Sequence, residues 1–291
     1  MFAAVFQGVV TGIDDLYFVT KLEDHGDLSD VRIARDGRKV RIESAILKPM
    51  LTGDDVSRYA ELRARMHCIY PYKLLGEKTV ILEEAELAAQ FPRAYSYLSE
   101  FKSELRAARV KYKTNPRYWY SCHRARSMVA FAAERIVSQE ISFGCNMTID
   151  VHGLYHNTQV YSFLPGSDAA EDLNYWSGLL NSQLMWWFLV TTGNVLRGGY
   201  FRFKTEYLNP FPLYTIDLAN RADKARHDRI VELVERMLDL HKQLAAAKTA
   251  HAKTNLQRQI DATDAQIDKL VYELYELTPE EIKIVEGTGQ K

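Results

Sequence analysis

Cysteine is scarce in this 291-residue chain: Cys68, Cys122 and Cys145 form an odd, widely spaced set. Such spacing builds neither a zinc site nor a disulfide framework, which fits a reducing compartment. The pairs His67-Cys68 and Cys122-His123 lack a second half and read as core or loop residues. Long apolar runs are missing too. The most apolar one, Leu184 to Val190, is far shorter than the roughly 20 residues that span a bilayer, so it reads as a buried helix. Met1 leads straight into an alternating strand pattern without a basic leader or cleavage site, so a cytoplasmic protein with no membrane partner is expected. There is no His-Glu-x-x-His, P-loop or Gly-x-Ser-x-Gly element, which removes the simplest zinc-hydrolase, nucleotide-hydrolase and serine-hydrolase readings. The eight histidines are scattered and read as structural. No catalytic residue and no metal ligand is assigned.

Net charge is also near zero, with 37 Lys and Arg against 38 Asp and Glu. At 47% hydrophobic and 26% charged, the composition is neither histone-like nor disordered, and the length suffices for a substantial core. Positive charge is concentrated instead. Between Glu104 and Glu134 there is no acid, while Arg106, Arg109, Lys111, Lys113, Arg117, Arg124 and Arg126 are interleaved with Tyr112, Tyr118, Trp119 and Tyr120. Guanidinium and ammonium groups attract phosphates, Arg also reads guanine edges bidentately, and aromatic rings stack on bases or sugars. A basic loop with its aromatics turned into the core is the blander reading of the same residues. Polarity of this kind needs balancing acids elsewhere, chiefly Glu83, Glu84, Glu86 and the C-terminal region.

Taken in order, residues 2–20 read as two strands around turn glycines Gly8 and Gly12, with no helical period after them that would make a phosphate or S-adenosylmethionine loop. Val31-Ile33 and Val40-Ile42 flank Asp36-Gly37, a strong hairpin signal, and Lys48-Pro49 closes this module. Thr52 to Asp55 reads as a helix start. Strands follow at 67–70 and 79–82, then a helix from Glu83 to Gln90 and another from Arg93 to about Arg109. The latter turns Tyr97, Leu98, Phe101 and Leu105 to one face and Lys102, Arg106 and Arg109 to the other. Strands recur at 136–137, 147–149 and 160–163, followed by an almost wholly apolar helix over 171–192 that ends at Gly193. A second basic-aromatic run, Arg197 to Lys204, comes next. From about Asp223 two helical stripes, Ile230 to Leu244 and Leu256 to Leu274, predict an antiparallel pair. The fold class is therefore α+β: a mixed α/β region with a C-terminal helical hairpin, divided at 1–48, 49–215 and 216–291.

Two segments imitate the Asn-Pro-Pro-Tyr loop of adenine-specific DNA methyltransferases: Asn115-Pro116-Arg117-Tyr118 and Asn209-Pro210-Phe211-Pro212. Neither follows a buried parallel-type strand, so neither is assigned catalysis. Glu281-Ile282-Lys283 imitates the end of a nuclease site without its upstream Asp and reads as surface helix.

The order of several landmarks carries a resemblance. Phe6-Gln7-Gly8, Leu47-Lys48-Pro49 before Gly53-Asp54-Asp55-Val56, and Ile69-Tyr70-Pro71-Tyr72 come first. Phe91-Pro92-Arg93-Ala94-Tyr95 and Trp119-Tyr120 ahead of Arg124 follow. Ile136-Val137, Leu180-Asn181-Ser182, Arg197-Gly198-Gly199 and Asn209-Pro210-Phe211-Pro212 come last. Together they resemble the TaqI-like C-terminal specificity domain of type IIG restriction-modification enzymes and adenine-specific DNA methyltransferases. The resemblance implies a module that reads double-stranded DNA for a methyltransferase, and in some members a nuclease, domain or subunit. S-adenosylmethionine would belong to that catalytic part, with no cofactor in this chain. Lys102, Arg106, Arg109, Lys111, Lys113, Arg117, Tyr118, Trp119, Arg124, Arg126, Arg197, Arg202 and Lys204 are the DNA-binding candidates. The alternative is an assembly subunit of a nucleic-acid-processing complex whose helical tail binds partners. In either case the two apolar stripes of that tail are expected to need burial against the catalytic part or a second copy.

Overall fold

Alternating apolar residues between residues 18 and 69 build five strands of a six-stranded sheet, and residues 155–156 add the sixth. A computed structural model describes residues 2–203 and 205–287; the candidate Lys204 lies outside the described residues. Along this sheet the order is Tyr155–His156, Leu47–Leu51, Met66–Ile69, Phe18–Asp24, Leu28–Ile33 and Lys39–Glu43. Only the first pair is parallel. The Asp36-Gly37 hairpin forms as its residues predict: Val31 pairs with Val40, and Gly37 takes the left-handed φ of 73° that favours glycine there. Val19, Val31, Ile33 and Ile42 turn inward and are buried. Against them pack the helices Glu84–Gln90, Pro92–Ser99 and Lys102–Lys111, through Leu87, Ala94, Tyr97, Leu98 and Leu105. The single helix expected over 93–109 is two, because the chain tightens at Glu100 and Phe101, whose N–H groups reach the carbonyls three residues back. The strand expected to run on from Gly12 is interrupted by one helical turn, Asp14–Tyr17. Thr52 to Asp55 gives only a short 3-10 turn, capped reciprocally by Thr52 and Asp55.

A second, four-stranded antiparallel sheet has the order Phe2–Gln7, Val160–Pro165, Arg135–Gln139 and Met147–Asp150. The apolar helix expected over 171–192 is broken into Leu173–Leu180 and Gln183–Thr192. Polar side chains cause the break, since Asn and Ser compete with the helix for backbone groups. Asn181 hydrogen-bonds both the N–H and the C=O of Met147, and Ser182 caps Met185 N–H. Gly193 ends the second helix with φ −87°, so its freedom to adopt positive φ is not used there.

The tail consists of Arg221–Ala246 and Ala250–Leu274, with a third helix, Pro279–Gly287, behind them. Ile230, Val234, Met237, Ile267 and Val271 are fully buried in one cluster with Trp176, Leu179 and Met147. Each such burial contributes on the order of 1.5–3 kcal/mol. This corrects the expectation that the stripes need an outside partner: helix Leu173–Leu180 and the small sheet cover them. The divisions expected at 48/49 and 215/216 do not follow the packing either. Lys48 and Pro49 lie inside a strand, and residues from 2 to 285 share the tail's core.

That packing is tight at Gly178. A Cβ there would meet Ile230 Cγ2 at 2.8 Å and Val234 Cγ2 at 3.2 Å. Gly178→Ala is expected to cost about 1–3 kcal/mol by overpacking, despite the better helix propensity of Ala, as chemical denaturation would measure. An unchanged midpoint would show that the tail can slide away.

Asp268 joins the tail to the rest by accepting Gln183 N–H at 2.8 Å, and burial pushes its carboxyl up to about 6. The unfolded carboxyl titrates near 3.9, so between about pH 4 and 6 the folded state holds a proton that the unfolded state has released. The stability from this group is full below about pH 4 and is lost as pH rises through 6. Asp268→Asn removes that slope, so relative to the parent it should gain up to about 1.4 kcal/mol per pH unit from pH 4 to 6. Parallel stability profiles of the two proteins across this window would contradict the assignment.

Candidate nucleic-acid interface

The two sheets meet where the segment Gly8–Gly12 leaves the small sheet for the large one. Val9 N–H donates to His156 C=O at 2.8 Å, and Gln7 Nε2 donates to Thr158 C=O at 2.7 Å. Gly8 is required here by contact: a Cβ would lie 2.0 Å from His156 O and 2.2 Å from Asn157 O. At Gly12, φ is 91° and a Cβ would meet Arg109 Nη2 at 2.7 Å. The chain itself therefore fills the space beside both glycines.

Beneath this junction is a sealed polar network. Arg135 and Asp150 form an ion pair at 2.7 Å with both side chains 0% exposed. Arg135 also donates to Ser162 Oγ and to the carbonyls of Phe131, Ala133 and Leu154, while Asp150 accepts the N–H groups of His152 and Leu154. His156 Nε2 lies 2.6 Å from Ser162 Oγ. Burial, reinforced by Arg135, holds the His156 ring neutral with a pKa lowered to about 3. The Ser-His contact imitates a nucleophile and its base, but both residues are buried and the imidazole's other nitrogen faces the Asn157 carbonyl, not a carboxylate. It is a structural pin.

The basic stretch runs across the outside of this junction. Arg124 pairs with Val10 through both backbone hydrogen bonds, at 2.9 and 3.2 Å. Tyr70 Oη donates to Arg126 C=O and receives Arg126 N–H, and Arg126 Nε donates to Gly8 C=O at 3.0 Å. The backbone from 121 to 126 is thus held on both sides. Its side chains fall into three groups.

Arg109 and Trp119, both assigned to DNA from the sequence, are buried and belong to the fold. Arg109 is 0% exposed, and its guanidinium donates to the carbonyls of Ser121 and Thr11. Trp119 is 0% exposed, and its indole N–H donates to Glu84 at 3.1 Å. Both are removed from the DNA-facing set.

A second group is engaged on the surface. Lys102 pairs with Glu84 at 2.7 Å and lies over the Trp119 ring. Arg117 pairs with Glu83 at 2.7 Å, and Tyr118 Oη donates to the same carboxylate at 2.6 Å. That bond raises the Tyr118 phenol pKa and lowers that of Glu83. The acids expected to balance the basic stretch from elsewhere therefore sit against it. Arg202 lies 3.6 Å from Glu140. Arg126 is half-buried, and burial together with Arg124 lowers its pKa.

The third group comprises Arg106, Lys111, Lys113, Arg124 and Arg197, which are exposed and have no ion pair among the described residues. Lys113 takes φ 55°, a left-handed backbone at the turn after helix Lys102–Lys111.

Burial and Glu140 push the Tyr161 phenol up, while Arg202 and Arg126 both oppose the rise, so both cations lie within electrostatic reach of it. Arg202 belongs to a two-stranded ribbon, Ile141–Ser142 with Phe201–Arg202. The ribbon tip turns at Gly198 and Gly199, with φ of 85° and 80°. Phe143 and Tyr200, 61% and 48% exposed, stand at this tip with ring centroids 6.4 Å apart. These exposed aromatics were missed as candidates. Tyr200 follows Arg197-Gly198-Gly199 and could have been read, whereas Phe143 has no local signal.

The model of the TaqI-like C-terminal specificity domain matches residues 48–213. The chain is 24% identical over 286 residues to the Type II restriction enzyme and methyltransferase RM.Eco57I of Escherichia coli, covering 94% of this chain and 28% of that protein. It is 22% identical over 278 residues to the Type II methyltransferase M.BstVI of Geobacillus stearothermophilus, covering 96% of this chain and 40% of that protein. Its fold is similar to that of the Type IIL restriction-modification enzyme MmeI, solved in complex with DNA, with a TM-score of 0.61 and 13% identity over 99% of this chain and 35% of that one. The chain spans less than half the length of each of these proteins. Among the described residues, no helix is long and apolar enough to cross a membrane.

Proposed function

The chain belongs to the family of TaqI-like C-terminal specificity domains, and from that premise we propose that it is the duplex-DNA recognition module of a restriction-modification adenine methyltransferase, non-catalytic by itself. Its work is done in the cytoplasm beside a methyltransferase domain or subunit, with or without a nuclease, which binds S-adenosylmethionine. The reading is carried by the exposed cations beside the sheet junction. Arg124 has its backbone clamped to Val10 while its guanidinium is free of ion pairs among the described residues. A rigid backbone presenting a free planar donor suits both phosphate neutralisation and base-edge readout. Arg126 and Arg202 both act on Tyr161, and Arg197 immediately precedes the Gly198-Gly199 turn. Phe143 and Tyr200 add apolar contact at its tip.

The assembly-subunit reading has less support, because the tail's stripes are consumed inside the chain. Binding to duplex DNA measured over a salt series, with single-stranded DNA and RNA as competitors, tests the proposal. Duplex affinity falling steeply with salt and resisting both competitors is expected. Equal preference for RNA, or no saturable binding, would reject it.

A further inference from the structure

A cavity of about 610 Å³ opens between the edge of the small sheet and helix Arg221–Ala246, and none of its lining residues belongs to the basic loop. Met147–Asp150 is the outermost strand there. Gln139 N–H reaches Asn146 C=O across the ladder, so Asn146, Thr148 and Asp150 turn their backbone groups inward. By the alternation of a strand, Met147 and Ile149 turn theirs outward. The outward groups of Met147 are taken: Asn181 bonds both, and Tyr59 N–H also donates to its C=O at 3.0 Å. Thr148 Oγ1 then donates to Ala60 C=O. Ile149, one step further along and on the cavity wall, has no hydrogen-bond partner for its outward N–H and C=O among the described residues. An open donor and acceptor on a sheet edge is a template for one more strand.

The walls say what that strand must carry. Glu61, Glu134, Asp172 and Asp239 line the cavity against the single ammonium of Lys242. Glu61 also takes Arg63, Asp172 caps Asn174 N–H and Asp239 accepts from Gln243, but Glu134 has no ion pair among the described residues. Asn174 Oδ1 is a further buried acceptor without a hydrogen-bond partner among the described residues. Acceptors outnumber donors, so the site repels polyanions and favours cationic groups. Leu238 and the exposed Val151 supply apolar contact beside the open edge.

We propose that this cavity docks an extended, lysine- or arginine-bearing segment of a protein partner, which adds a short strand at Ile149. The inference is independent of DNA binding. The probe is a fluorescein-labelled, end-capped heptapeptide alternating lysine and valine, titrated into the 291-residue chain without DNA. Saturable binding is expected, with slowed amide hydrogen exchange at Ile149. Ile149→Pro removes the outward N–H and the isoleucine's packing but no ladder bond, so it should weaken binding about tenfold or more. Asp239→Lys should weaken it comparably through charge, which keeps the test usable if the proline variant folds poorly. Equal affinity for a glutamate-valine peptide, unchanged binding in the folded variants, unaltered exchange at Ile149, or absence of saturable binding each overturns the proposal.

Discussion

Arg135→Met is expected to remove about 3–5 kcal/mol of stability, the cost of breaking one side of a buried ion pair. The cause is the stranded partner more than the lost attraction. Asp150 would keep the N–H groups of His152 and Leu154 but lose its cation at 2.7 Å, with no access to water. Ser162 Oγ and the carbonyls of Phe131, Ala133 and Leu154 would lose their donors together. A domain of ordinary stability has about 5–15 kcal/mol in total, so this one side chain holds a large share. Lys should not rescue it, because an ammonium on a flexible stem cannot serve a carboxylate and four oxygens from one plane. Urea denaturation followed by tryptophan fluorescence is the measurement, since Trp119 and Trp176 are both buried. A loss below about 1 kcal/mol, in the range of exposed pairs, would mean that the network is wet.

Much of the framework around that pair was legible from residue patterns. Alternation located the strands at 31–33, 40–42, 136–137, 147–149 and 160–163, and Asp36-Gly37 located the turn between the first two. The tail helices followed from stripe spacing. What failed was anything that depends on which distant segment lies alongside. Arg109 and Lys111 are near neighbours on one helix, yet Arg109 passes beneath Thr11, 98 residues away, and is sealed there. Glu83 and Glu84 precede Tyr118 and Trp119 by 35 residues and read in the sequence as remote counter-charge, but they bind those very side chains. The apolar tail stripes signalled burial correctly without saying against what. Phe143 joins the ribbon through the pairing of Ile141 with Arg202, a contact that leaves no local mark. Period and turn chemistry are local, whereas burial of a cation is decided by tertiary contact.

The cations of the basic stretch should therefore separate on mutation, although composition makes them look alike. Arg124→Ala removes an exposed, unengaged guanidinium from a clamped backbone, so the fold should stand and duplex affinity should fall. If Arg124 neutralises a phosphate, all sequences weaken alike and the salt slope drops by about one counterion. If it reads a base edge, the loss is roughly 1–3 kcal/mol, or about 5- to 150-fold, and preference relaxes at one position. Arg124→Lys should restore the first role but not the second, since only the planar fork binds bidentately. Lys113→Ala should show the phosphate pattern. Arg117→Ala should do less than either, because Glu83 already neutralises that guanidinium at 2.7 Å. Arg126→Ala loses its bond to the Gly8 carbonyl and should combine weaker binding with lower stability. Arg109→Ala should differ in kind: it leaves the Ser121 carbonyl without its buried guanidinium donor and Thr11 C=O with only the His123 N–H, so stability falls, and DNA binding is lost only in proportion to the unfolded fraction. Measuring each variant across a salt series, with circular dichroism to report folding, resolves the pattern. Should folded Arg124→Ala and Lys113→Ala keep the parent's affinity and salt slope, the basic stretch does not face DNA.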